Sequence, residues 1–152
     1  MSYFSAEAQM PPQAQPAELR YGEPARADMM KIDMVLAGER FTLEVAMNQG
    51  DLLRGLMYRH ALPEKQGMLF PFWPPRAVDF WMKNTKIPLD MLFVRDKVVV
   101  YIRESVPPCS SDPCPTYGSI YPVDMVVELP AGSARRSASQ ATSARRSAAR
   151  SK

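Results

Sequence analysis

The chain has 152 residues, enough for one domain and too few for two independent cores. Hydrophobic residues make up 46% and charged residues 23%, the balance of a globular protein, and no run approaches the ~20 apolar residues of a membrane-spanning helix. The formal net charge of +3 conceals two opposite parts: residues 131–152 carry five arginines, one lysine and no acid, hence +6, while the remainder sets 13 basic against 16 acidic residues, hence −3.

Residues 1–28 are rich in Ala, Gln, Pro and Glu and show no apolar periodicity, so they read as a flexible N-terminal arm that buries too little to offset ordering entropy. They contain no basic stretch followed by an apolar run, hence no visible signal peptide. From Met29 the pattern changes. Lys31 to Leu36 and Arg40 to Val45 alternate polar with apolar residues across Ala37-Gly38-Glu39, which predicts a hairpin with one buried face. Leu52, Leu53, Leu56 and Met57 then fall at helical spacing behind Asn48 and Asp51, which predicts one short helix, with Gly55 permitting close approach to a neighbour. Short strands are expected at Met68–Phe72, Val78–Lys83, Met91–Val94, Val98–Ile102 and Val123–Leu129, with a proline-rich loop at 106–122 before the last. The fold class is therefore mainly β: a compact antiparallel barrel or sandwich of about seven short strands with one short helix, filling residues 29–132 as one domain. A parallel arrangement is disfavoured because no crossover helix separates the strands.

Residues 133–152 form an Ala/Ser/Arg tail in which Ser-Ala-Arg-Arg-Ser-Ala occurs twice and no Leu, Ile, Val, Phe or Met occurs. It reads as disordered charge, or as the product of a shifted reading frame. As a partner it offers weak, salt-sensitive contact with nucleic acid through phosphate charge.

Several motifs in register carry a resemblance. Arg54-Gly55-Leu56-Met57-Tyr58-Arg59, Leu62-Pro63, Gly67-Met68-Leu69-Phe70, Phe80-Trp81-Met82-Lys83-Asn84-Thr85, Ile87-Pro88-Leu89-Asp90, Pro108-Cys109, Cys114-Pro115 with Tyr117, and Glu128-Leu129 with Ala131-Gly132 are similar to the domain of unknown function 192 family. The resemblance covers about residues 31–132 and departs in the tail, where similar proteins continue with a leucine-bearing helix and a closing strand. It implies a small bacterial or archaeal β-rich domain, frequently exported, of unestablished activity. An exposed sheet edge is expected if the closing strand is missing.

Candidate site residues are Arg54, Trp81, Lys83, Asn84 and Asp90. Alternation places Phe80 and Met82 toward the core and Trp81 and Lys83 outward or toward a concavity, where an indole beside an ammonium, an amide and a hydroxyl makes a ligand platform. Arg54 offers a planar fork to a carboxylate or phosphate. Asp90, held by Ile87-Pro88-Leu89, orients a ligand or ties a turn. The leading expectation is a non-catalytic binding or accessory module for a small or anionic ligand; the alternative is a small hydrolase or transferase using Asp90 with Lys83. No catalytic motif is recognisable, the single histidine His60 excludes a two-histidine metal site, and no cofactor is expected. Cys109 and Cys114 bracket a short loop compatible with a structural disulfide in an oxidising compartment, such as the periplasm or the cell exterior; half of a thiolate metal site and a redox pair are the competing readings.

Overall fold

A computed structural model describes residues 28–138. The expected hairpin is present: β1 (Lys31–Leu36) pairs antiparallel with β2 (Glu39–Val45), and Ala37 and Gly38 both take positive φ, the backbone of a tight turn whose twist matches the strands. Asn48 then caps α1 (Gln49–Arg54), its side chain accepting a hydrogen bond from the Asp51 N–H at 2.9 Å. The helix stops at Gly55, where φ is positive and where an added Cβ would press on the Phe70 ring at 3.3 Å.

After α1 the chain returns beside β2 as β3 (Gln66–Arg76), and the two strands run parallel, with Thr42 opposite Gln66 and Val45 opposite Leu69. The remaining long strands are β5 (Leu89–Arg95), β6 (Val98–Val106) and β8 (Val123–Pro130), giving a six-stranded sheet in the order β1-β2-β3-β8-β5-β6. A separate ribbon pairs β4 (Asp79–Trp81) with β7 (Thr116–Gly118), the latter inside the segment expected to be loop. The β-rich expectation therefore holds, but the purely antiparallel barrel does not. The sheet is mixed and does not close on itself, leaving β1 and β6 as edges. The physical reason is the connection over residues 46–65, which is long enough for a crossover although its helix is only six residues.

A second correction concerns the tail. Residues 133–138 form a short helix, α2, with Ser133 and Ser137 buried and Ala134 packed on the apolar cluster beneath it. The side chains on its inward face, Ser133, Ala134 and Ser137, are small enough to pack there while Arg135 and Arg136 face outward, and Ala and Arg are good helix formers. The rest of the expected tail, 139–152, and the expected arm over 1–27 lie outside the described residues.

Both faces of the central strands are buried. One face carries Met68, Phe70, Phe72, Met91, Phe93 and Val126 under α1 and the β4–β7 ribbon; the other carries Phe41, Leu43, Leu69, Leu92, Val127 and Leu129. Arg59, just past α1, reaches Glu44 on β2 at 2.5 Å, and the Tyr58 N–H donates to the Asn84 carbonyl at 2.8 Å. These ties hold the helix exit over the first face of the sheet. Along β6 the apolar run Val98 to Ile102 stays exposed at the open edge.

Candidate functional site

Where α1 and the β4–β7 ribbon stand apart on the first face, they leave an open cavity of about 420 Å³. Leu52 to Met57 form one wall, and Phe72, Arg76 to Trp81 and Thr116 form the other; Phe70, Thr85 and Glu128 also line it. This size and mixture, apolar walls with a few convergent polar groups, suits a small molecule.

Two of the sequence candidates border the cavity. Arg54 comes from the last turn of α1 and Trp81 from the end of β4. Trp81 is 46% exposed, as its outward alternation requires, whereas Met82 is buried in the core. Lys83 lies over the indole at 5.2 Å from the ring centroid and is itself exposed; it does not line the cavity. Asn84 occupies a turn at φ 55°, where its carbonyl holds the helix exit. Thr85 turns inward and is buried, against the simple alternation.

Asp90 is placed elsewhere. It is completely buried on β5, and its two carboxylate oxygens accept the N–H groups of Ser105 at 2.8 Å and Ala134 at 2.9 Å. It ties a bulge of β6 and the start of α2 to the central sheet, the tying role rather than the ligand-orienting one. Buried, with each oxygen already accepting a backbone N–H, it is not brought into one site with the solvent-facing Lys83, so the pairing required for the hydrolase or transferase alternative is not formed.

The group that sequence reasoning passed over is Glu128. On β8 it stands between Met68 of β3 and Met91 of β5, directly opposite each, on the face that holds Phe70 and Phe93. Only 4% exposed, it reaches the cavity from within the core. Burial alone pushes its carboxyl up from 4.5 to about 8, so the group is mainly protonated at neutral pH. A neutral carboxylic acid is a hydrogen-bond donor in an otherwise apolar floor. The remaining charged groups of the cavity are Arg54, Arg76 and Asp79, giving it a net positive lining; Arg76 stacks over Phe72 at 4.8 Å.

A protein-family model for uncharacterised proteins, DUF192 (Uncharacterized ACR), matches residues 31–143. The chain belongs to this family. The match runs past Gly132 and takes in the residues of α2. Two solved structures are similar to it. A protein from Sinorhizobium meliloti 1021, described as a "putative transcription regulator", is 40% identical, with 64% of this chain and 74% of that one covered and a TM-score of 0.60. A protein of unknown function from Novosphingobium aromaticivorans DSM 12444 is 26% identical, with 90% and 93% covered and a TM-score of 0.64. Among curated proteins, none matches.

Cys109 and Cys114 of this DUF192 chain are joined by a disulfide, their Cα atoms 5.7 Å apart, in the loop that leads into β7. The cross-link closes a short loop, which in the chain-entropy model is worth about 2 kcal/mol. Among the described residues there is no cluster of three or more His, Cys, Asp or Glu suited to a metal ion, and no helix long and apolar enough to cross a membrane.

Proposed function

We propose that this DUF192 protein is a binding module that takes a small anionic organic molecule into the cavity between α1 and the β4–β7 ribbon. The observation that carries the reading is the combination within one cavity of about 420 Å³: an apolar floor and walls, two arginines against one aspartate, and an exposed indole at the border. The apolar surface supplies affinity for a hydrocarbon body, the excess positive charge attracts an anion, and Trp81 provides a rigid stacking face. The disulfide supports a working location in an oxidising compartment.

Small molecules retained by the full chain, identified by mass spectrometry after gentle purification and denaturation, test the proposal. Wild type is expected to retain an organic anion that Trp81→Ala releases, while the variant loses only a modest part of its stability because nearly half of the indole is exposed. Retention of the same compounds by both proteins, or a large loss of stability in the variant, rejects it. The description of the Sinorhizobium protein points toward nucleic acid, and the basic tail is the segment that would serve it. Less supports that reading: Arg135 lies 3.3 Å from Glu104 and Arg136 lies 3.1 Å from Glu64, so the first arginine pair of the tail meets acids of the domain.

A further inference from the structure

Glu128 poses a problem that packing does not solve. Its neighbours across β3 and β5 are both methionines, and a third methionine at this position would continue the apolar row Met68-128-Met91 at no electrostatic cost. Instead the row is interrupted by a carboxyl that burial pushes up to about 8. A group so expensive to the fold, and facing into an open cavity, is placed there for what enters the cavity.

Resting on the binding reading above, we infer that Glu128 is the specificity-determining group at the closed end of the cavity, donating its acid proton to a neutral oxygen acceptor on the ligand, whose carboxylate stays at the arginine-bearing mouth. The ligand class is thus an organic acid with an apolar, planar body between a carbonyl-type oxygen and a carboxylate. The charges divide accordingly. Arg54 on α1 and Arg76 on β3 outnumber Asp79 on β4, while Met68 and Met91 flank the acid and Leu56 and Phe70 lie in the same core, all without charge. A ligand carboxylate at the floor would lose its hydration for a single hydrogen bond, whereas a neutral carbonyl there loses little. A ligand amine at the floor would require the acid to ionise among those same apolar groups.

Calorimetric titration of the full chain with 4-acetylbenzoate, 4-isopropylbenzoate, which has the same shape without the acceptor, and 4-isopropylbenzylamine distinguishes these cases. Wild type at pH 6.5 is expected to bind 4-acetylbenzoate about tenfold more tightly than 4-isopropylbenzoate, as one buried hydrogen bond requires. Raising the pH to 9 removes most of the donor and with it about tenfold in affinity for 4-acetylbenzoate. Glu128→Gln keeps a donor that does not titrate, so its preference survives at pH 9. Glu128→Met has no donor, so it binds both acids equally. Equal binding of the two acids by wild type, a preference that persists in Glu128→Met, or tightest binding of the amine overturns the inference while leaving a ligand site in place. Binding of none of the three by wild type overturns both the inference and the reading on which it rests.

Discussion

Replacing Glu128 with Gln should change how stability depends on pH, by an amount that follows from the burial of one carboxyl. The folded protein holds the proton up to about 8, whereas the unfolded chain releases it near 4.5. Between those values the native state binds the extra proton, so the contribution of this group to stability is intact below 4.5 and declines as pH rises through the folded value. At about 1.4 kcal/mol per pH unit, the full decline is about 5 kcal/mol, and about 3 kcal/mol of it falls between pH 5 and pH 7. A glutamine has the same shape and does not titrate. Urea unfolding of both proteins across pH 5 to 8, at fixed ionic strength, isolates the effect, because every other titrating group is common to the two. The stability of Glu128→Gln relative to wild type should rise by about 3 kcal/mol from pH 5 to pH 7. Parallel curves would show that the carboxyl is solvated or paired in the native state, and the account of the cavity floor would fall with them.

Two further outcomes follow from the structure. Asp90→Asn substitutes an amide for one of two carboxylate oxygens that accept backbone N–H groups, and should cost about 2 kcal/mol in thermal or chemical unfolding without altering ligand affinity in the folded variant. An unchanged melting temperature, or weakened binding at full stability, would return Asp90 to the ligand site. The exposed apolar run of β6 at the open sheet edge should make the chain associate at high concentration, and Val100→Lys should suppress this; sedimentation velocity showing one monomeric species throughout for wild type would dismiss it.

Much of the fold was visible in residue order because period-two alternation has a direct physical cause. Ile32, Met34 and Leu36 against Phe41, Leu43 and Val45 specify the β1–β2 pair, and each of them packs on the same cluster. The parallel pairing of β2 with β3 was hidden because the crossover is recognisable by its length rather than by its six-residue helix. Trp81 was legible as a border residue because its neighbours Phe80 and Met82 so plainly belong inside. Glu128 was not, and the reason is instructive: in Val123 to Leu129 alternation assigns Asp124 and Glu128 to a watery face, yet β8 lies at the centre of a sheet covered on both sides. The clue was in the neighbouring strands. Met68-Leu69-Phe70 and Met91-Leu92-Phe93 are apolar at consecutive positions, which marks a sheet buried on both faces and leaves no watery side for the strand between them. Asp90 was legible as a fixed carboxylate but not as an occupied one, since its two partners lie 15 and 44 residues away.

The hydrogen bond from Ala134 to Asp90 also decides where this polypeptide can be shortened. Truncation after Gly132, where the familiar motifs stop, would strip one of the two buried Asp90 oxygens of its backbone donor and leave the carboxylate with the Ser105 N–H alone. The opening residues of the basic extension are therefore masonry, and a shortened version meant to remain folded has to keep Ala134.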